Sequence, residues 1–168
     1  MPKLRIAGIV KESVVDGPGI RFVVFSQGCK HNCKGCHNPG THDLNSGKLV
    51  DTEEILNEIK KDPLLLGVTF SGGEPFLQAK PFADLAKKIH KLGLNIITYT
   101  GYKFEDLISQ MNRENSYEEL LNNTDILVDG KFILEEKSLM LKFRGSKNQR
   151  VIDVKESLRE KKVIEINF

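Results

Sequence analysis

The three cysteines of this chain fall within a single short segment, Cys29-Lys-His-Asn-Cys33-Lys-Gly-Cys36. This spacing can bring three thiolates around one metal centre, and three is one fewer than a closed four-ligand site requires. An iron–sulfur cluster in which one iron remains free to bind another molecule fits this count. We therefore expect the chemistry at the open coordination position.

Zinc is the alternative metal for the same loop, because His31, His37 and His42 are close enough in sequence to supply a fourth ligand. Structural zinc sites usually take a second ligand pair from a separate segment, and the chain has no further cysteine. We expect His31, which lies between two cysteines, to point to solvent. The corresponding rival function is a zinc-binding interaction module without catalysis.

A second segment with chemical potential is Ser71-Gly-Gly-Glu-Pro75, which follows a short apolar run. Two glycines allow the backbone to approach a ligand closely, and Glu74 offers acceptors for an ammonium group such as the amine of an amino acid. The same residues also suit a tight connection between a strand and a helix. Both interpretations remain open from the residues alone.

The surrounding sequence alternates between strand and helix patterns, which predicts parallel βαβ units. Strands are predicted at 4–10, 20–25, 66–70, 94–99 and 125–128. Helices are predicted from Asp51 to about Pro63, at 82–92 with Gly93 as the stop, at 104–111 and at 117–121. Because functional loops follow the carboxyl ends of parallel strands, the cysteine and glycine segments should meet at one end of the sheet.

Length and composition limit the architecture. A chain of 168 residues is too short for a complete eight-fold α/β barrel of about 250 residues, so we predict one α/β domain, residues 1–168, as a partial barrel. Its sheet should be mostly parallel and open on one side. A net charge of +2 argues against a nucleic-acid partner. No signal peptide or membrane-length apolar run is visible, so no membrane partner and a cytoplasmic location are expected.

The combination of Cys-x3-Cys-x2-Cys with Gly-Gly-Glu-Pro resembles the radical S-adenosylmethionine superfamily. The resemblance implies the partial (β/α) barrel of that superfamily and a 4Fe–4S cluster whose fourth iron chelates S-adenosylmethionine. The cluster ligands it implies are Cys29, Cys33 and Cys36. The cofactor-binding residues it implies are Gly72, Gly73 and Glu74 at the methionyl end, with Gly35, Cys36 and His37 beside the adenine.

Two further segments, Val15-Asp-Gly-Pro-Gly-Ile-Arg21 and Cys36-His-Asn-Pro39, resemble the activating enzymes of glycyl-radical proteins. Within that group, Phe143-Arg-Gly-Ser-Lys-Asn-Gln-Arg150 is similar to the activators of anaerobic ribonucleotide reductase. This implies reductive cleavage of S-adenosylmethionine and hydrogen abstraction from a backbone glycine of the reductase large subunit. A low-potential donor such as reduced flavodoxin would supply the electron. Pyruvate formate-lyase is the alternative protein substrate.

Four charged residues of the second half of the chain are left with two interpretations each. Asp129 and Lys131 follow a predicted strand, where they could contact the cofactor or serve the loop structure. Arg144 and Arg150 could face the cofactor or the partner, or form surface ion pairs. In this interpretation the turn 16–19 lines the route by which the protein substrate reaches the site.

Overall fold

A seven-stranded sheet organises the computed structural model, which describes residues 2–31, 33, 35–36, 40 and 43–167. In chain order the strands are β1 (Lys3–Ser13), β2 (Arg21–Ser26), β3 (Lys48–Asp51), β4 (Gly67–Gly72), β5 (Asn95–Tyr99), β6 (Ile126–Asp129) and β7 (Arg150–Asp153). Their order across the sheet is β3-β1-β2-β4-β5-β6-β7. The sheet therefore has β3 and β7 at its two edges.

The parallel part of the sheet is its centre. Strands β2, β4, β5 and β6 pair in parallel, which confirms the predicted βαβ units. The flanking pairs β1–β2, β1–β3 and β6–β7 are antiparallel, so the predicted parallel character applies only to the central strands. The curvature of the sheet into a partial barrel stays a prediction.

Five helices contribute to a common core against one face of the sheet. They are α1 (Thr52–Lys60), α2 (Ala79–His90), α3 (Phe104–Gln110), α4 (Tyr117–Asn122) and α5 (Val154–Glu160). The first four confirm predicted helices, whereas α5 was not predicted. Apolar side chains of all five join alternate strand residues such as Phe22, Val24, Val68 and Phe70 in one buried cluster. No helix in the described ranges is long and apolar enough to cross a bilayer.

The other face of the sheet carries a buried arginine. Nε of Arg21 donates to Oγ1 of Thr69 at 2.8 Å, and its Nη1 and Nη2 donate to the carbonyls of Pro18 at 3.2 Å and Val68 at 3.0 Å. The Thr69 hydroxyl donates in turn to the Asp16 carbonyl at 2.8 Å. Burial lowers the pKa of Arg21 to about 10. These bonds hold the turn 16–19 against the sheet.

Gly17 allows this turn to approach the sheet closely, and replacing it should weaken the fold. Its φ is 137°, and an added Cβ would overlap Cδ1 of Ile97 and lie 2.8 Å from Cδ of Arg21. Gly17→Ala should therefore lower the free energy of unfolding by about 2 kcal/mol in urea denaturation. Gly8→Ala is the matched control, since nothing lies within 4 Å of the added carbon. Equal urea midpoints for the two variants would contradict the placement of the turn.

Candidate functional site

A cavity of about 470 Å³ lies at the carboxyl ends of the parallel strands. Cys29, Cys33 and Cys36, which follow β2, line it together with Gly72 and Gly73 at the end of β4. Thr100 and Gly101 after β5 and Gly130 after β6 contribute further wall. The volume lies in the range of small-molecule sites. The structure thus confirms that the cysteine and glycine segments meet at one end of the sheet.

Backbone hydrogen bonds join these two segments directly. The N–H of Gly73 donates to the Ser26 carbonyl and that of Glu74 to the Gly28 carbonyl, both at 2.8 Å. Gly72 has a φ of 90°, and a Cβ at this position would lie 2.7 Å from the Ser26 nitrogen. A side chain at position 72 would therefore push the two strand ends apart, which explains the glycine.

The Glu74 carboxylate lies beneath the cavity wall with an exposed fraction of 1%. Oε1 accepts from Nε2 of His31 at 2.6 Å, from the Gly101 N–H at 2.8 Å and from Oγ1 of Thr100 at 2.8 Å. Oε2 accepts from the Phe76 N–H at 3.0 Å, at the start of the 3-10 helix Pro75–Gln78. The structure therefore brings Glu74 to the site as a buried acceptor rather than as a residue lining the cavity.

The prediction that His31 points to solvent is wrong. Its side chain is 8% exposed, and its ring packs edge-on against Tyr102 with the ring centroids 4.6 Å apart. The ring also covers Gly101, where an added Cβ would come within 2.5 Å of the imidazole Cδ2. The signal that could have indicated this orientation is Glu74. The sequence places its carboxylate at the end of the neighbouring strand, where it can accept a hydrogen bond from a histidine in the cysteine loop.

The cysteine thiols are partly buried, and burial raises the pKa of both Cys29 and Cys33. Backbone N–H groups of His31 and Phe132 counteract this by donating to the Cys29 and Cys33 sulfurs, and Lys131 further favours the Cys33 thiolate. Such thiols ionise when a metal binds them. Within the described ranges, no set of three His, Cys, Asp or Glu side chains is arranged to hold a single metal ion.

The residues predicted beside the adenine are only partly described. Gly35 has a φ of 73°, and its Cα faces Leu134 and Phe132 so closely that a Cβ would lie 2.9 Å from Cδ1 of Leu134. Cys36 lines the cavity, and its N–H donates to the Cys33 carbonyl at 3.2 Å. His37, like the alternative zinc ligand His42, lies outside the described residues. Their roles stay predictions.

Asp129 and Arg150 form an ion pair that supports the loop structure, which is the structural one of the two interpretations given above. The buried Asp129 carboxylate accepts from the Phe104 N–H at 2.8 Å, where α3 begins, and from Nε of Arg150 at 3.1 Å. Nη1 of Arg150 also donates to Glu105 at 3.2 Å. Arg144 differs, because it lines the cavity, and its Nη1 donates to the Gln149 carbonyl at 2.6 Å.

Two segments outside the parallel strand ends complete the cavity wall. Residues 137–149 contribute Leu139, Leu141 and Phe143, and the Tyr99 hydroxyl donates to the Phe143 carbonyl at 2.5 Å. Val15 and Asp16 contribute from the connection between β1 and β2. Asp16 of the turn 16–19 thus lines the cavity, while the turn's place on the route of the protein substrate stays a prediction.

The chain is similar in sequence to known proteins. The 4Fe-4S single cluster domain family matches residues 15–152. The anaerobic ribonucleoside-triphosphate reductase-activating protein of Escherichia coli (strain K12) is 34% identical over 148 residues, which are 82% of this chain and 91% of that protein. The chain belongs to this family of activating enzymes. The family's protein of the same name from Vibrio cholerae is 38% identical over 144 residues, 81% of this chain and 89% of its own.

A further relative carries the name of the alternative partner. The pyruvate formate-lyase-activating enzyme of Clostridium pasteurianum is 38% identical over 130 residues. The match covers 74% of this chain but spans only 50% of that protein. Family membership confirms the predicted class, a radical S-adenosylmethionine activating enzyme, and supports the iron–sulfur cluster over zinc. The individual residue roles stay predictions.

Arg150 should be essential for stability because it neutralises a buried carboxylate. Arg150→Met leaves Asp129 buried without its cation, which should lower the free energy of unfolding by about 3 kcal/mol. Arg159 pairs with Glu156 on the exposed side of α5, so Arg159→Met should change it by less than about 0.5 kcal/mol. Urea denaturation of both variants measures the difference. Similar losses in the two variants would show that the Asp129 pair has no special structural role.

Proposed function

We propose that this chain activates an anaerobic ribonucleotide reductase by generating a glycyl radical on its large subunit, with S-adenosylmethionine bound at a 4Fe–4S cluster. The observation that carries the proposal is that all three cysteines and the Gly72-Gly73 backbone line one cavity. Relatives named as activators of this reductase, matched over about nine-tenths of their length, support the choice of partner.

The donor set fits the proposed cluster. Cys29, Cys33 and Cys36 would bind iron as thiolates, and the N–H groups of His31 and Phe132 already face two of the sulfurs. Three thiolates leave one iron available for the amine and carboxylate of the cofactor. When bound, the cluster and S-adenosylmethionine supply the one-electron cleavage of the sulfonium and the hydrogen abstraction from glycine.

The residues of the chain would bind and orient S-adenosylmethionine. Gly72 and Gly73 offer backbone groups to the methionyl end, and Glu74 supports that wall from below. Gly35, Cys36 and His37 would flank the adenine. Residues 137–149 contribute one wall of the cavity, and Asp16, which also lines it, would lie on the route of the incoming glycine loop. The electron would come from a low-potential donor such as reduced flavodoxin, in the cytoplasm, where thiols stay reduced.

Cys33→Ala tests the cluster. The variant keeps two thiolates, too few to hold the cluster, and should lose its iron and all cleavage of S-adenosylmethionine. The anaerobically purified parent protein should be brown, with about four irons per chain. Circular dichroism controls for folding. A colourless parent protein with stoichiometric zinc, or cleavage retained in the variant, would overturn the proposed chemistry.

The partner is tested by incubation with S-adenosylmethionine, a reductant and either the reductase large subunit or pyruvate formate-lyase. We expect a glycyl radical in the electron paramagnetic resonance spectrum with the reductase, because the relatives matched over about nine-tenths of their length are named as its activators. The Cys33→Ala variant is the negative control. A radical on pyruvate formate-lyase, with silence from the reductase, would transfer the assignment to the alternative partner.

A further inference from the structure

The buried Glu74 carboxylate is a meeting point of three chain segments. Its donors come from the end of β5 through Thr100 and Gly101, from the 3-10 helix through Phe76, and from the cysteine loop through His31. A carboxylate removed from water needs such donors, because leaving one out strands a buried charge or acceptor. Losing the hydrogen bond from His31 would therefore cost free energy.

His31 occupies a close-fitting slot. The Gly101 backbone lies against one side of the ring, where there is no room for a Cβ, and Tyr102 packs against it at a 76° angle. Tyr102 packs against Tyr117 with the two rings tilted at 46° and their centroids 6.0 Å apart, and Tyr117 meets Phe76 edge-on at 5.5 Å. The Phe76 N–H donates to Glu74, which is also the hydrogen-bond partner of His31, so these contacts form a closed series around the carboxylate.

Because His31 belongs to the cysteine loop, the position of its ring affects the position of the thiols. The residue lies between Cys29 and Cys33, its backbone N–H faces the Cys29 sulfur, and its side chain reaches the ends of β4 and β5. A displacement of the ring would therefore move the loop that carries two of the thiols. It would move them relative to Gly72 and Gly73, which backbone bonds fix to β2.

We propose that His31 is a positioning residue: paired with Glu74, it anchors the cysteine loop to the strand ends and so sets the thiols relative to the Gly72-Gly73 backbone. The inference rests on the proposed function for its link to the cofactor. The anchor itself is a property of the metal-free chain. In this view the Glu74 carboxylate serves the cofactor through His31 and not by binding the methionyl amine.

Four variants distinguish a local loss of the His31 contact from a general loss of stability. His31→Ala removes the hydrogen bond and the ring, whereas His31→Gln keeps an N–H donor. Gly101→Ala keeps every polar group and displaces the ring from its slot. His90→Ala is the matched control, since Nε2 of His90 makes a similar 2.8 Å contact to Asp125 at the opposite end of the sheet.

The first measurement uses metal-free protein and needs no cofactor. Iodoacetamide alkylation of Cys29 and Cys33, followed by mass spectrometry, reports how well the loop is held. We expect about tenfold faster alkylation in His31→Ala and Gly101→Ala, from the loss of a hydrogen bond to a charged group. His31→Gln should remain within about threefold of the parent and His90→Ala should be unchanged. Urea midpoints measured in parallel identify any variant that is globally unfolded.

The second measurement uses cluster-loaded protein. His31→Ala should keep about four irons per chain, yet show an altered spectrum of the reduced cluster and about tenfold weaker binding of S-adenosylmethionine. His31→Gln should restore both. Parent-like alkylation and binding in His31→Ala would overturn the proposal. So would weakened binding confined to Glu74→Gln, which would assign the amine contact to the carboxylate.

The two measurements distinguish failure of this inference from failure of the proposed function. If the parent protein loads no cluster or binds no S-adenosylmethionine, the proposed function fails, while the alkylation rates still decide whether His31 anchors the loop. If the parent loads and binds normally and the rates are equal, only the anchor fails.

Discussion

The buried carboxylate of Glu74 is the constraint on which the geometry of the site depends. A carboxylate that is 1% exposed must receive hydrogen bonds from the protein, and here they come from groups separated by up to 43 positions in sequence. Satisfying this one side chain fixes the end of β5, the first turn after β4 and the cysteine loop together. The three segments thus share one attachment, in addition to the backbone hydrogen bonds that join the cysteine and glycine segments.

Asp129 repeats the same arrangement one strand further along the sheet. Like Glu74, it lies at the carboxyl end of a parallel strand, is almost fully buried and accepts from the first N–H of a nearby helical turn. Each carboxylate also has a nitrogen-bearing partner from another segment, His31 in one case and Arg150 in the other. The difference lies in the partner: Arg150 ties β7 to β6, whereas His31 ties the cysteine loop to the sheet.

The sequence predicted the elements whose signal is local. Apolar runs identified the parallel strands, and strand-end logic placed the cysteines beside Gly72 and Gly73. Strands β3 and β7 were missed because each has four residues with only two apolar side chains, too few for a pattern. Their pairing depends on distant neighbours, as does the orientation of His31. No local pattern reports a contact between residues 31 and 74.

Anchoring the cysteine loop in advance matters because ordering a loop on binding lowers affinity. In the metal-free chain, burial raises the pKa of Cys29 and Cys33, so these thiols resist ionisation until a cation arrives. In the proposed function, iron would then supply the free energy of deprotonation, because metal binding releases protons. A loop already held by the His31–Glu74 hydrogen bond adds little further ordering cost to that step. The hydrogen bonds that compensate for the burial of Glu74 therefore also hold the cysteine loop beside Gly72 and Gly73. This arrangement would favour assembly of the proposed cluster next to the backbone that would bind S-adenosylmethionine.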